Sequence, residues 1–264
     1  MTLATEPMIA EKKDGIGWMT FNNPERRNAL SVEMREAAIR ILADFSADDA
    51  VRVVVMKGAG DKAFVSGADI SQFESQRSTP EQIAAYSALT QRFEGAMSGL
   101  QKPLIAMIRG YCLGGGLAVA LTADIRIAAD DAQFGVPAAR LSLGYGFAGT
   151  RKLTDLVGPS CAKEILFTAR RYTAAEALQM GLINRVVPVA SLEDHAYELA
   201  TTIAGNAPLT IRAAKTIVGE IVKDPADRDM AACERAVQTC MASSDYVEGR
   251  RAFMEKRKPA FTGR

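Results

Sequence analysis

KPLIAMIRGYCLGGGLAVALTADIRIA, residues 102–128, is the stretch on which the fold turns. PLIAMIRG (103–110) is a short apolar run closed by glycine, which suits a strand buried on both faces. YCLGGG then leads without a spacer into LAVALTAD, a helix opened by three consecutive glycines, and DIRIAA (124–129) reads as the next strand. Upstream the same cycle occurs once more: the β-branched run VRVVVMKG (51–58), the loop AFVSGADI (63–70) and a helical pattern around 81–100. Further out, MIAEKKDGIGWMTF (8–21) reads as a hairpin about Asp14-Gly15. The turn NNPERRNAL follows, and Ser31 is placed to cap a helix over VEMREAAIRILADF. Beyond residue 150 the chain turns almost wholly helical, with a Thr173/Glu176 capping box and helical patterns from 191 onward. The expectation is an α/β fold: a superhelical core of ββα units over 1–195 with its loops gathered on one side, and a helical oligomerisation region over 196–264. Periodicity alone leaves a doubly wound sheet open.

Bulk composition narrows the function by exclusion. Lys+Arg total 32 against Asp+Glu 31, so no overall field draws the chain to nucleic acid or an anionic membrane, and an anionic ligand needs a local cluster. Cys112, Cys161, Cys233 and Cys240 form no Cys-x-x-Cys pair and read as small core residues in a reducing, cytoplasmic setting. The opening MTLATEPMIAEKKDG lacks the basic-then-apolar order of a secretory signal, and no apolar run is long enough to span a bilayer. The one histidine, His195, excludes multi-histidine metal sites and reads as a solvated helical residue. No permanently bound cofactor is expected.

The chemistry-bearing features are backbone ones. In Ser66-Gly67-Ala68-Asp69 and Leu113-Gly114-Gly115-Gly116, minimal side chains let a ligand approach the main chain, and the second loop opens a helix. One N–H from each loop meeting at a point makes an oxyanion hole; two tight turns with no such role are the plainer alternative. Neither loop has Walker or Gly-x-Gly-x-x-Gly spacing, which speaks against nucleotide hydrolysis and hydride transfer.

Six ordered pieces carry a resemblance: NPERRNAL (23–30), KAFVSGADI (62–70), the 102–128 stretch, QFGVPAARLSLG (133–144), FTARRYTAAEALQMGLINRVV (167–187) and FMEKRKPAF (253–261). Together they span nearly the whole chain, and the set resembles the crotonase, or enoyl-CoA hydratase/isomerase, superfamily. The resemblance implies an acyl-coenzyme A thioester as substrate, its carbonyl bound by the amides of Ala68 and Gly115 while a thioester enolate forms. It further implies that Ala29, Ser66, Ala68 and Ile70 line the coenzyme path, with Arg26 or Arg27 toward its phosphates. It adds Phe253 and Lys256 near the coenzyme, often from a neighbouring subunit, and a trimer or dimer of trimers.

This chain also departs from the family pattern. Hydratases of the family add water with two glutamates, at the positions held here by Ala118 and Ala138. A methyl group neither activates water nor delivers a proton, and each general acid–base group typically contributes about 10²- to 10⁴-fold. Tyr145, in LSLGYGFAG, falls where acyl-CoA decarboxylases of the superfamily have a tyrosine. Its hydroxyl and Arg140 are therefore candidates for holding a substrate carboxylate or, for Tyr145, protonating the enolate. The expected activity is enolate-stabilising lyase chemistry, with decarboxylation of a malonyl-type acyl-CoA as its sharpest form. The alternatives are hydration or isomerisation with a stand-in acid such as Asp69 or Glu164, and acyl-CoA binding without turnover.

Overall fold

A computed structural model describes residues 6–72 and 78–264; Met1–Thr5, part of the opening read above, lie outside them. Strands β1 (Met8–Lys13) and β2 (Ile16–Phe21) form the expected antiparallel hairpin. Asp14 (φ 55°) and Gly15 (φ 78°) supply the left-handed pair that a two-residue hairpin requires. Helix α1 (Val32–Ala47) starts where Ser31 accepts from the Met34 amide at 3.2 Å. Three strand pairs follow: β3 (Val53–Gly58) with β4 (Ala63–Val65), β5 (Leu104–Ile108) with β6 (Tyr111–Leu113), and β7 (Ile125–Ala129) with β8 (Gln133–Gly135). A helix closes each turn of the spiral: α2 (Pro80–Ser98), α3 (Gly115–Ala120) and α4 (Phe147–Thr168).

The two strands of each pair enter different sheets. A six-stranded sheet runs β1-β2-β3-β5-β7-β10 (Arg185–Val187), and a four-stranded one runs β4-β6-β8-β9 (Tyr172–Thr173). Two sheets wound by one spiral replace the single doubly wound sheet. In the large sheet successive side chains point to opposite faces. Val54, Met56, Leu104, Ala106 and Ile108 therefore join the core with α1 and α2, whereas Val53, Val55, Ile105, Met107 and Ile127 pack against α6 (Leu192–Ala204). Both faces are covered, which is why these strands read as continuous apolar runs rather than alternating ones.

The C-terminal part is helical as expected, through α5 (Ala174–Gln179), α6, α7 (Pro208–Ile221), α8 (Met230–Met241) and α9 (Ser244–Met254). The Thr173/Glu176 capping box is formed. The boundary expected at 195/196 falls inside α6, whose Ala196 and Ala200 are fully buried against the large sheet. Helix α6 is thus a layer of the core, and the remaining helices start at α7.

Small-sheet register positions the loops. Val65 pairs with Cys112 and Cys112 with Phe134, all in parallel strands. The chain therefore leaves β4, β6 and β8 on the same side, carrying Ala68, Gly115 and Ala138 outward together. A fourth segment, the 23–30 turn, is pinned beside them by fully buried Asn28, whose Nδ2 donates to the Ala59 and Ala63 carbonyls at 3.0 and 2.8 Å.

Candidate active site

The first loop is tied to the 23–30 turn. Leu30 N–H donates to Gly67 O at 2.8 Å, and Asp69 N–H donates to Leu30 O at 3.0 Å. This ladder uses the Gly67 carbonyl and the Asp69 amide on either side but leaves Ala68 N–H without an acceptor among the described residues. The second loop is tied to the third, since Gly114 N–H donates to Gly135 O at 2.8 Å. Gly115 begins α3, so its own N–H lies in the first helical turn, where no intrahelical acceptor exists.

Each glycine of the triplet has a separate job. Gly114 adopts φ 50°, ψ −116°, a conformation a side chain would strain. A Cβ on Gly116 would fall 1.9 Å from the Val65 carbonyl oxygen, so only glycine lets α3 seat on β4. A Cβ on Gly115 would lie 3.4 Å from the Ala68 nitrogen. The two amides singled out from the sequence are thus neighbours across the loops, with open space between them that a side chain would fill. Such a pair of unspent donors suits an oxygen that becomes negative during reaction.

The flanking positions are apolar. Ala118 is half-buried one turn into α3, and Ala138 is buried in the short 3-10 turn Pro137–Leu141. Tyr145 is half-buried against the core, and its hydroxyl donates to the Gly114 carbonyl at 3.1 Å. Burial pushes its phenol up to about 12, with the nearby Glu94 carboxylate adding to the shift. Glu94, half-buried on α2, was not singled out from the sequence; no side chain pairs with it among the described residues. Its flank position beside the buried stripe Leu89, Phe93 and Met97 was the available signal.

Other candidates are distributed as follows. Arg26 pairs with Asp69 at 3.3 Å and bonds Ser71 Oγ, while Arg27 stacks 5.2 Å from the Tyr111 ring centre. Ser66 N–H donates to Arg27 O at 3.1 Å, Ala29 is half-buried beside Leu30, and Ile70 is 61% exposed. These five residues form one cluster with Ala68. Arg140 is exposed at the end of the 3-10 turn. Phe253 lies apart, 83% exposed on α9 beside a groove shared with Leu209 and Ala213 of α7; Lys256 is also exposed. Among the described residues neither bonds to the 66–70 or 113–116 loops.

The proposed stand-in acids have other partners. Asp69 accepts from Ser71 N–H at 3.0 Å and Ser71 Oγ at 2.7 Å besides its ion pair with Arg26. Glu164 meets Arg170 at 3.2 Å and the Tyr172 hydroxyl at 3.3 Å, beside the edge strand β9. Asp130 and Asp131 accept from the amides of Val189 and Gly110, each at 3.2 Å, as strand-end ligands of the backbone. Among the described residues His195 meets Arg185, at 3.5 Å. Among the described residues no His/Cys/Asp/Glu group is arranged to hold a metal, and no helix is long and apolar enough to cross a membrane.

Comparison with known proteins places the chain among relatives of one family. The profile of the Enoyl-CoA hydratase/isomerase family matches residues 11–264. The chain is 35% identical to the short-chain-enoyl-CoA hydratase of Clostridium acetobutylicum over 251 residues, 95% of either protein. It is 36% identical to the crotonyl-CoA hydratase of Syntrophomonas wolfei over 263 residues, covering 98% of this chain and 99% of that one. Among solved structures, an enoyl-CoA hydratase/carnithine racemase from Magnetospirillum magneticum superposes with a TM-score of 0.94 at 34% identity, covering 99% and 97% of the two chains.

Proposed function

The chain belongs to the enoyl-CoA hydratase/isomerase family of acyl-CoA enzymes, and from that premise we propose that it is an enolate-stabilising acyl-CoA lyase, not a standard hydratase. The observation that carries this reading is the pairing of two unspent amides, Ala68 and Gly115, with methyl groups at 118 and 138. The hole supplies an electron sink; the alanines supply no acid or base.

Loss of carbon dioxide from a malonyl-type thioester fits that inventory. The bond between the α-carbon and the carboxylate breaks, its electron pair moves onto the thioester to give an enolate oxygen, and carbon dioxide leaves. The oxygen is held by Ala68 and Gly115, and the α-carbon afterwards takes a proton from solvent water. No base is consumed. Each donor aimed at the developing charge is worth about 3 kcal/mol of barrier. The Tyr145 hydroxyl bonds the carbonyl of the peptide that carries the Gly115 N–H, and we assign Arg140, exposed on the Pro137–Leu141 turn, to the substrate carboxylate. The acyl-CoA is a substrate, and the coenzyme path follows Arg26, Arg27, Ala29, Ser66 and Ile70.

A second reading, hydration or isomerisation of an enoyl-CoA, is favoured by the names of the relatives and by the Glu94 carboxylate near Tyr145. Incubation with crotonyl-CoA and, separately, methylmalonyl-CoA distinguishes the two. Carbon dioxide release from the second is the expected result; rapid water addition to the first rejects the lyase reading.

The assembly we propose is a trimer or dimer of trimers built with α7–α9. Val218, Met241, Phe253 and Met254 are each at least 60% exposed there, an apolar surface that self-association would cover.

A further inference from the structure

We propose that Tyr145 is a positioning residue that acts on the oxyanion hole through the Gly114–Gly115 peptide. The carbonyl that accepts its hydroxyl at 3.1 Å belongs to the same planar unit as the Gly115 N–H. The inference deepens the proposed function and rests on its central claim, that the amides of Ala68 and Gly115 hold the thioester oxygen.

Two physical effects follow from that contact. The first is polarisation. A hydrogen bond to an amide oxygen draws electron density from nitrogen and makes the N–H a better donor, and serial bonds strengthen one another by about 10–30% each. Gly114 O accepts from both Ala118 N–H, at 3.0 Å, and the Tyr145 hydroxyl, so the Gly115 N–H lies at the end of a two-donor chain. The second effect is orientation. With φ 50° and ψ −116°, Gly114 sits where glycine alone is comfortable, and a rotated peptide would aim its carbonyl, not its N–H, at the substrate oxygen. Gly114 N–H, in the preceding peptide, is anchored to Gly135 O, and the tyrosine holds the carbonyl of the 114–115 peptide itself.

The surroundings keep this contact in place. Tyr145 packs against the core and beside Gly149, one turn on, where even an added Cβ would make only ordinary contact with the ring, at 3.6 Å. Burial and the Glu94 charge both favour the neutral phenol, so the hydroxyl remains a donor across the ordinary pH range. A hydroxyl whose hydrogen is given to the backbone is not the group that protonates the α-carbon.

The test is the carbonyl stretch of butyryl-CoA labelled with carbon-13 at the thioester carbon, bound to wild type and to Tyr145→Phe. The wild-type band is expected below its solution frequency, and Tyr145→Phe is expected to return part of that shift while kcat falls about 5- to 30-fold and KM stays within about twofold. Replacing Tyr145 with a fluorotyrosine, a stronger donor of the same shape, should lower the band further; it also tests the inference if the phenylalanine variant fails to fold. Equal shifts in wild type, Tyr145→Phe and the fluorotyrosine protein overturn the inference and leave the hole standing. No shift in wild type with ligand bound removes the hole itself. Abolished turnover with an unchanged band makes Tyr145 a proton donor instead, which also overturns the proposal.

Discussion

Gly115→Ala isolates the hole from the fold. The added methyl would sit 3.4 Å from the Ala68 nitrogen and 3.6 Å from Leu30 Cδ1, close enough to require a shift of only a few tenths of an ångström. Gly115 has ordinary negative φ and begins α3, where alanine is the better helix former by up to about 1 kcal/mol. Folding stability should therefore stay within about 1 kcal/mol of wild type. The methyl nevertheless competes for the space beside the Ala68 amide into which a thioester oxygen must fit. Losing one donor of an oxyanion hole costs about 3 kcal/mol, and tenfold per 1.36 kcal/mol makes that about a hundredfold in kcat. Gly116→Ala provides the contrast, because its methyl would meet the Val65 carbonyl oxygen at 1.9 Å and should prevent α3 from seating. The assay is turnover of whichever thioester reacts, with thermal unfolding of the same preparations. A Gly115→Ala protein that melts and turns over like wild type refutes the idea that these amides do chemistry.

Installing Glu at both Ala118 and Ala138 restores the acid–base pair used by hydratases of the family, and hydration of crotonyl-CoA should rise by at least about 10²-fold over wild type; no gain would mean that the two methyls are not what withholds that reaction. The raised phenol of Tyr145 links stability to alkaline pH: its contribution is complete below about 10 and lost as pH climbs toward about 12, so Tyr145→Phe should flatten the wild-type decline in that window when unfolding is followed by denaturant. Val218→Asp combined with Met254→Asp places charge on exposed apolar positions of α7 and α9, and should convert the proposed trimer or dimer of trimers to monomer in sedimentation; a trimer that persists contradicts the assignment of that surface.

What was legible in the sequence and what was not divides along the two sheets. The large sheet is written in runs such as VVVMKG, long enough for β-branching and burial on both faces to show, and its helices announce themselves through side-chain caps at Ser31 and Thr173. The small sheet is written in AFV, YCL and QFG. Three residues carry no period, so those strands read as parts of loops, and the parallel register that sends Ala68 and Gly115 to one place is invisible before folding. Helix α6 misled the boundary for a related reason. Its Leu192, Ala196 and Ala200 form a narrow stripe of mostly small residues that composition scores as merely helical, although it is the layer closing the large sheet.

The same distinction governs the site. Two alanines at 118 and 138 can be counted from the sequence, and their chemical meaning, that no carboxylate is supplied there, needs no coordinates. Tyr145 is different, because a tyrosine ring at a core edge is common and only the partner of its hydroxyl separates a packing residue from one that serves the reaction. That partner is a backbone oxygen belonging to a glycine whose combination of φ 50° and ψ −116° a side chain would strain, in a loop whose position depends on Gly135 O across the small sheet. Three local choices, the glycine, the strand register and the phenol, have to agree before one amide points at a substrate. Such agreement is a property of the folded chain, and it makes the 114–115 peptide, more than any single side chain, the place where the fold and the proposed chemistry can be tested together.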